Sequence, residues 1–328
     1  MTVDSAPRRI HLYRTHNQLG DLLLNVPAIR AVRERFPDAH VTLVVGRQNA
    51  AAVLGQAWAD EIRVVDTKNF IGVVRAALRR GPRPDLALSF STVSYSRSGA
   101  LLAGLSGARE RLGFDSRQWG ERDAARLTRL CPYPSGLLHQ SEISMVLARA
   151  AGAERTPAPP YYVADAASVA RAPAGTAYLH PGAGKVKNRW PAERFAAVAR
   201  ELLSHGNDVW LLEGPQDDGT AAAVIAALGR RLPIVRGESI PMLAARFARA
   251  SLYIGNDTGP LHLAGAVGAP TLGIYGWTDP REWAPVGHLV RSVRADDAML
   301  SSIEPAVVLD AAYALLAMKE REERCATT

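Results

Sequence analysis

The stretch SLYIGNDTGPLHLAGA, residues 251–266, joins an apolar run to an Ala-rich run through a polar turn. The first run is short enough for a buried strand, and the second, from about Gly259, has helical spacing. Pro260 lies near the first helical position, where its missing N–H group costs nothing. Either Asp257 or Thr258 is expected to cap the helix. The stretch therefore predicts a βα unit whose helix N-terminus can face an anion.

The same alternation of short apolar runs and helical periods continues along the whole chain. Strands are predicted at 9–13, 41–45, 62–65, 85–90, 111–114, 177–181, 208–214, 232–235, 251–255 and 271–276. Helices are predicted near 21–35, 49–57, 69–80, 96–105, 137–153, 217–229, 240–250 and 303–322, and from 191 and 259 onward. Strands that alternate with helices of this length indicate parallel sheets covered on both faces.

A Pro- and Ala-rich stretch at 154–175 has no clear period and is the predicted linker. A length of 328 residues also suits two domains better than one. We therefore predict an α/β protein with two Rossmann-like domains, residues 1–160 and 161–328. The domains are expected to face each other across a ligand-binding cleft, with the last helix packed back on the first domain.

Composition excludes several classes of protein. Apolar residues make up 48% and charged residues 22%, as in globular chains. The two cysteines are far apart and lack the spacing of a zinc or redox site. Every apolar stretch ends well short of the roughly 20 residues of a membrane span. The N-terminus lacks the apolar segment of a signal peptide, so a cytoplasmic protein is expected.

The positive charge is concentrated in the first half of the chain. The net charge is +7, and residues 1–150 carry 21 Lys and Arg against 13 Asp and Glu. Arginine binds phosphate and carboxylate through two parallel hydrogen bonds, so an anionic partner for this half is one interpretation. Codon bias toward arginine is the other, and composition does not separate them. The basic residues are scattered without an aromatic stripe, so no nucleic-acid partner is expected.

Polar residues cluster after three further predicted strands. In RTHNQLGDLLLNVPAIR, Asp21 follows the first strand, where it is either a helix cap or a carboxylate that can accept a proton. In HPGAGKVKNRWPAERF, residues 180–195, glycines and basic residues precede a helix, a pattern suited to phosphate. Glu213 ends another strand as a candidate for ribose binding, and Asp217 and Asp218 are expected to cap the next helix.

Three blocks of the chain resemble the signature blocks of glycosyltransferase family 9, the heptosyltransferases that build the lipopolysaccharide inner core. The blocks are GDLLLNVPAIR at 20–30, HPGAGKVKNRWPAERF at 180–195 and GNDTGPLHLAGAVGAPTLGIYGWTDP at 255–280. Their order and the strand-helix pattern between them fit the GT-B fold of that family over almost the whole chain. The resemblance implies an inverting sugar transfer from a nucleotide-sugar donor, with no metal and no cofactor.

By position, the resemblance assigns roles to individual residues. Asp21 corresponds to the general base that deprotonates the acceptor hydroxyl. The family's diphosphate-binding residues fall on Asp257, Thr258, Gly259 and His262. Lys187, Arg189 and Glu213 are further donor-binding candidates. Residues expected to contact the acceptor are Arg14, His16 and Asn17. One position departs from the family pattern, because Asn188 stands where a basic residue is usual, which leaves Lys187 or Arg189 to neutralise the leaving phosphate.

The resemblance implies ADP-heptose as the donor and an anionic glycolipid or oligosaccharide of the lipopolysaccharide core as the acceptor. Such an acceptor places the enzyme at the inner face of the inner membrane, in peripheral contact with it. Three alternatives stay open at this point: a family member with another donor or acceptor, a nucleotide-sugar 2-epimerase of the same architecture, and a sugar-phosphate binding protein without catalysis.

Overall fold

The computed structural model describes residues 6–78, 82–121, 126–217 and 219–326. The chain divides into two compact units, Met1–Ala158 and Pro159–Thr328. The division falls two residues before the domain boundary expected from the sequence. Each unit is built on one parallel six-stranded sheet with helices on its faces, so the predicted α/β class with two Rossmann-like halves is confirmed.

The first unit alternates strands and helices in chain order. Its strands are β1 (Arg9–Arg14), β2 (His40–Gly46), β3 (Glu61–Val65), β4 (Leu86–Ser89), β5 (Glu110–Phe114) and β6 (Arg129–Cys131). Its helices are α1 (Leu19–Arg35), α2 (Ala50–Val53), α3 (Phe70–Leu78), α4 (Arg97–Leu105) and α5 (Gln140–Ala150). The sheet order is β3-β2-β1-β4-β5-β6, with all pairs parallel.

The second unit repeats this plan. Its strands are β7 (Thr176–His180), β8 (Asp208–Glu213), β9 (Ile234–Arg236), β10 (Leu252–Asn256), β11 (Thr271–Tyr275) and β12 (Val290–Arg294). Its helices are α6 (Ala166–Arg171), α7 (Ala192–Ser204), α8 (Thr220–Leu228), α9 (Ile240–Ala248), α10 (Gly259–Val267), α11 (Pro280–Trp283) and α12 (Pro305–Ala326). The sheet order is β12-β11-β10-β7-β8-β9. When β7 is counted as the first strand and the sheet is read from β9, this is the same 3-2-1-4-5-6 order as in the first unit.

The order of the strands reverses at one point in each sheet. In the first sheet the reversal lies between β1 and β4, and in the second between β7 and β10. At such a switch point the two adjacent loops leave in opposite directions and open a crevice at the carboxyl ends of the strands. The loops after β1, β4, β7 and β10 are therefore the places where each sheet can hold a ligand.

Most strands and helices agree with the sequence pattern, including the edge strands β3 and β9, and the differences lie in two other edge strands and in short helices. The core of the second unit gathers the inner faces of its sheet, α7 and α12, including Leu179, Phe195 and Leu315. Edge strands β6 and β12 were not expected, and α6 lies inside the predicted linker. The helix expected near 49–57 is reduced to α2 and a preceding 3-10 turn. The last helix packs on α7, β10, β11 and β12 of its own unit.

Within the described part of the chain, no helix is both long and apolar enough to span a membrane.

Candidate functional site

At the switch point of the second sheet, the side chain of Asn256 ties two loops together. Its Oδ1 accepts a hydrogen bond from the backbone N–H of Trp190 at 3.0 Å. Its Nδ2 donates to the carbonyl oxygens of Pro181 and Gly182 at 2.9 and 3.2 Å. The Asn256 side chain is fully buried. The loop after β7 is therefore fixed to the end of β10 by one amide group.

A buried histidine lies beside this amide and connects both loops through its ring nitrogens. Nε2 of His180 is 2.8 Å from Oδ2 of Asp217, and only 2% of the His180 side chain is exposed. Its Nδ1 is 3.1 Å from the hydroxyl of Tyr253 and 3.2 Å from the hydroxyl of Thr258. His180 thus links the carboxylate before α8 to the start of α10.

Asp217 is held as a buried acceptor and does not cap α8. Its Oδ2 also accepts from the backbone N–H of Gly214 at 2.8 Å. Burial raises its pKa, but the hydrogen bond and charge of His180, the Gly214 N–H and the charge of Arg189 outweigh this and leave the pKa lowered. The capping role expected for Asp217 is therefore wrong, because the carboxylate turns inward and Gly219 occupies the N-cap position. Asp218 lies outside the described residues.

The loop after β7 has room for this carboxylate only because residue 182 is glycine. A Cβ atom at Gly182 would collide with the carboxylate of Asp217. The same carboxylate would be within 2.9 Å of a Cβ at Gly214. The two glycines on either side show that the fold of both loops is adapted to a buried Asp217.

The residues of the predicted diphosphate cradle, Asp257, Thr258, Gly259 and His262, lie together at the start of α10. Oδ1 of Asp257 is 3.5 Å from Nε2 of His262, whose side chain is 5% exposed. Thr258 is the N-cap residue, but neither it nor Asp257 caps the helix with its side chain. The hydroxyl of Thr258 instead donates to the carbonyl oxygen of Asn256 at 3.2 Å. The N–H groups of this helix start are left without a side-chain cap.

The basic loop after β7 places its cations in different surroundings. The ammonium of Lys187 lies 4.7 Å from the centre of the Trp277 ring, and Nε1 of Trp277 donates to Oδ1 of Asn188 at 2.9 Å. The guanidinium of Arg189 donates to the carbonyls of Ala183 and Gln216 at 2.9 and 3.0 Å. Arg189 therefore braces the loop, whereas Lys187 is exposed over an aromatic ring.

Glu213 lies at the end of β8, and both of its carboxylate oxygens have partners within the unit. Oε1 accepts from Nε of Arg236 at 3.0 Å, and Oε2 accepts from the backbone N–H of Ala221 at 3.1 Å. The side chain therefore joins β8 to the first turn of α8 and to β9. Its role toward a donor ribose stays a prediction.

At the switch point of the first sheet, the loops after β1 and β4 meet through hydroxyl groups. The hydroxyl of Thr15 is 2.7 Å from that of Ser96 and 2.9 Å from that of Ser98. A cavity of about 530 Å³ opens here, and His16 and Asn17 line it. Other lining residues are Thr15, Gln18, Gln48, Thr67, Lys68, Tyr95, Ser96, Arg97 and Ser98. This polar cavity has the size of a small sugar site.

Next to this loop, Arg14 and Asp21 form a buried ion pair. Nη2 of Arg14 is 3.5 Å from Oδ2 of Asp21, and the side chains are 1% and 19% exposed. Burial lowers the pKa of Arg14 to about 10, and the nearby negative charge of Asp21 opposes this shift. Among the described residues, no hydrogen-bond partner reaches Nε, Nη1 or Nη2 of Arg14. A charged guanidinium whose three nitrogens all lack a hydrogen-bond partner is unusual in a protein interior.

Asp21 lies in the first turn of α1, but it is not the cap of that helix. The N-cap residue is Gln18, which makes no side-chain capping bond. The carbonyl of Asp21 accepts from Nδ2 of Asn25 at 2.7 Å, while the carboxylate faces Arg14. Of the two interpretations left open by the sequence, the cap is excluded. The Asp21 carboxylate is still stabilised by its position in the first turn of α1, near the positive end of the helix dipole.

His16 is kept neutral at physiological pH. Burial and the charge of Arg14 lower the pKa of His16 to about 4. Its carbonyl oxygen accepts from Nδ2 of Asn49 at 2.9 Å, which fixes the loop after β1. A neutral His16 offers one donor and one acceptor to a polar ligand.

The structure thus gathers the predicted residues into two separate groups, one in each unit. His16 and Asn17 line one cavity, and Arg14 and Asp21, which precede and follow this loop in the chain, pair with each other. His180 and Asn256 lie inside quoted motifs, and Asp217 was expected as a helix cap, but none of the three was predicted as a site residue. Among residues that the structure describes, no three His, Cys, Asp or Glu side chains are grouped as metal ligands would be.

Solved structures of glycosyltransferases share the fold of this chain over almost its whole length. A glycosyltransferase family 9 protein from Veillonella parvula superposes with a TM-score of 0.83 at 20% identity, covering 95% of this chain and 97% of that one. Escherichia coli heptosyltransferase WaaC, solved with ADP, gives a TM-score of 0.73 at 20% identity, covering 92% and 98%. The fold is therefore that of the GT-B heptosyltransferases, as expected.

Sequence comparison then identifies the family. The family model described as glycosyltransferase family 9 (heptosyltransferase) matches residues 95–304. The chain is also 24% identical over 290 residues to lipopolysaccharide heptosyltransferase 3 of Escherichia coli, covering 81% of this chain and 83% of that one. This chain belongs to glycosyltransferase family 9 and is a transferase, which confirms the resemblance seen in its three motifs.

Proposed function

We propose that this enzyme transfers heptose from ADP-heptose to a sugar hydroxyl of an anionic, lipopolysaccharide-core acceptor. Family membership and a full-length heptosyltransferase relative support the reaction class. The observation that carries the assignment is the Arg14–Asp21 pair at the first switch point, whose two residues flank in the chain the loop 15–18 that lines a cavity of sugar size. A structural neighbour solved with ADP supports an adenine nucleotide as part of the donor.

In this reaction Asp21 is the general base. Its carboxylate takes the proton of the acceptor hydroxyl as the hydroxyl oxygen attacks the anomeric carbon of the donor. The bond from that carbon to the diphosphate breaks, and ADP leaves with the electron pair. One carboxylate and one displacement give inversion at the anomeric carbon. General base catalysis of this kind contributes on the order of 10²- to 10⁴-fold to the rate.

The leaving diphosphate binds at the start of α10 in this proposal. The uncapped N–H groups there and the hydroxyl of Thr258 supply hydrogen bonds, and the helix dipole favours negative charge. Lys187 or Arg189 supplies the positive charge that the family pattern would place at Asn188. Of these two, Lys187 is the better candidate, because Arg189 already donates to two carbonyl groups. These groups take the role that a metal ion has in other sugar transferases.

The acceptor binds in the first unit, at the cavity lined by His16 and Asn17. Lys68 and Arg97 are the cationic residues of the same cavity, and they suit a carboxylate or phosphate on the acceptor. The donors of Arg14 would be satisfied when the acceptor is bound. An acceptor attached to lipid requires the reaction to take place at a membrane surface.

A donor screen tests this function. The purified enzyme is incubated with ADP-heptose, and separately with UDP-glucose and GDP-mannose, each with a deacylated lipopolysaccharide-core acceptor. Release of the nucleoside diphosphate is measured together with the mass of the acceptor. We expect release of ADP, with an acceptor heavier by one heptose. Release of UDP or GDP alone, or ADP release without a change in the acceptor, would refute the proposed reaction.

A further inference from the structure

Trp277 is an exposed aromatic residue at the ligand-binding edge of the second sheet. It follows the carboxyl end of β11 by two residues, and 54% of its surface is exposed. β11 lies beside β10, whose carboxyl end leads into α10. Ligands of open parallel sheets bind at this edge. The Trp277 ring is therefore placed to act on a ligand or on the residues that bind it.

The backbone on both sides of Trp277 is anchored, although the ring is exposed. A Cβ atom at Gly276 would lie 2.8 Å from the carbonyl oxygen of Ala298, so the chain packs directly against residue 298 at this point. Two residues after Trp277, Oδ2 of Asp279 accepts a hydrogen bond from Nη1 of Arg294 in β12 at 2.6 Å. The loop therefore presents the indole at a fixed place.

The indole contacts two consecutive residues of the loop after β7. Its Nε1 donates to Oδ1 of Asn188 at 2.9 Å, and the ammonium of Lys187 lies 4.7 Å from the ring centre. Among the described residues, no hydrogen-bond acceptor reaches this ammonium. The attraction between a cation and the face of an aromatic ring holds the lysine and leaves N–H groups of the ammonium for another partner.

The loop that carries Lys187 is tied to the strand that leads into α10. The N–H of Trp190, in the same loop, donates to Oδ1 of Asn256, and Nδ2 of Asn256 donates to the carbonyl of Pro181. Asn256 is the last residue of β10, and Thr258 is the N-cap of α10. Lys187 therefore lies a few residues from a contact with the start of the proposed diphosphate site.

We propose that Trp277 and Asn188 are positioning residues that hold the Lys187 ammonium where it binds the donor's diphosphate. A free lysine side chain has many rotamers, and ordering it opposes ligand binding. Over the Trp277 ring, Lys187 has already lost part of that freedom. Asn188, which stands where a basic residue is usual in the family, instead supplies the acceptor that orients the indole. This inference rests on the proposed function, because it requires a diphosphate at the start of α10.

A double-mutant cycle tests whether Trp277 acts through Lys187. ADP affinity is measured by calorimetry for the wild type, Lys187→Met, Trp277→Leu and the double variant. We expect Lys187→Met to weaken ADP binding by at least about tenfold, through loss of a hydrogen bond between charged groups. Trp277→Leu should weaken it about twofold to fivefold, the range for a cation–π contact at an exposed site. In the double variant, the change at Trp277 should add less than about 1.5-fold.

Two further variants separate the ring face from packing. Trp277→Phe keeps a ring face for Lys187 and should recover part of the affinity lost in Trp277→Leu. Trp210→Leu is the matched control, because Cζ of Arg246 lies 5.2 Å from the centre of the Trp210 ring and the indole donates to Asp208 at 2.9 Å. Trp210 lies within β8, before its carboxyl end, so this change should leave ADP affinity unchanged. Thermal unfolding reports the stability of every variant.

Asn188→Lys returns a charge to the position where the family pattern has one. In this background, Lys187→Met should weaken ADP binding by less than about threefold, against at least about tenfold in the wild-type background. The loss is smaller because the new side chain at position 188 can take over the diphosphate.

Equal weakening by Trp277→Leu with and without Lys187 would overturn the inference, because the ring would then act on the nucleotide itself. Unchanged ADP affinity in Trp277→Leu, or equal loss from Lys187→Met in both backgrounds at position 188, would overturn it as well. Each of these results would leave the proposed function intact, since wild-type binding is measured in the same series. Failure of the wild type to bind ADP would instead refute the proposed function and this inference with it.

Discussion

Each unit has an acidic residue paired with a buried basic partner at its switch point, but the two pairs are built differently. In the second unit, Asp217 is 7% exposed and makes hydrogen bonds of 2.8 Å to His180 and to the Gly214 N–H. In the first unit, Asp21 is 19% exposed and lies 3.5 Å from Arg14, whose guanidinium is almost completely buried. The tighter pair is suited to holding a loop, and the looser pair to reacting with a ligand.

The difference shows how the same fold can hold its loops with one carboxylate and leave another open to a ligand. A carboxylate that already accepts short hydrogen bonds has little capacity to accept a proton, and it fixes its neighbours instead. A carboxylate that lies farther from its partner and is partly exposed can be reached by a ligand. Functional sites are often maintained at a cost in stability.

The largest effect on stability is expected when the loops of the second unit lose their common anchor. Asn256→Ala removes three buried hydrogen bonds and leaves the Trp190 N–H without its acceptor. We expect the free energy of unfolding to fall by about 3–5 kcal/mol, at about 1–3 kcal/mol for each unsatisfied buried group. Urea unfolding followed by circular dichroism measures this.

The matched control is Asn207→Ala, because the Asn207 side chain makes one bond, to the carbonyl of Leu202 at 2.9 Å. It should cost about 1 kcal/mol. Equal costs for the two variants would show that Asn256 does not anchor the loops.

Much of the fold followed from the sequence because central parallel strands are apolar on both faces. β1, β2, β7 and β10 were expected within one or two residues for this reason. The edge strand β12 reads VRSVR, in which charged residues face solvent and interrupt the apolar pattern. β6 has only three residues. From the sequence alone, neither strand can be distinguished from a short polar loop.

The candidate site was partly predictable for a different reason. Asp21 and the 257–262 turn follow strands directly, so their positions were implied by the strand order. The bonds of His180 to Asp217 and of Asn256 to Pro181 join residues 37 and 75 positions apart. Such partners depend on how the loops fold, and no local pattern in the sequence reveals them.

The second comparison concerns the two buried pairs themselves. Replacing a buried ion pair by residues of similar volume is often neutral or stabilising, whereas removing one partner is costly. We expect Arg14→Met combined with Asp21→Asn to change the free energy of unfolding by less than about 1 kcal/mol. Asp217→Ala should cost about 2–3 kcal/mol, because His180 and the Gly214 N–H lose their acceptor.

Chemical denaturation of the two variants at pH 7 measures both costs. If the double variant at Arg14 and Asp21 were the less stable one, the first pair would be structural, and the distinction between the units would fail.

Lowering the pH is expected to change the free energy of unfolding by smaller amounts. The pH range of this change differs between the two units. Burial, with the charge of Arg63, lowers the pKa of His11 in β1 to about 4, below the value near 6.5 of an unfolded chain. The unfolded state therefore takes up the proton first, and stability is lost as pH falls from about 6.5 to 4. The pKa of Asp217 is lowered, so its contribution is present above about 4 and is lost at lower pH.

Hydrogen exchange of peptides that cover β1 and β8, measured between pH 7 and 3, follows each unit separately. His11→Asn should reduce the loss of protection of β1 between pH 6.5 and 4.5 and leave β8 unchanged. Asp217→Asn should reduce the loss in β8 below about pH 4 only. Identical pH profiles for the wild type and both variants would contradict these assignments.

The most direct test of the catalytic assignment is the turnover of Asp21→Asn. ADP release from ADP-heptose is measured at saturating acceptor, with ADP affinity and the unfolding midpoint determined for the same protein. We predict that turnover falls by about 10²- to 10⁴-fold, the range for loss of a general base, while ADP affinity changes less than about twofold. Turnover within about tenfold of the wild type, in a folded variant that binds ADP, would show that Asp21 is not the base.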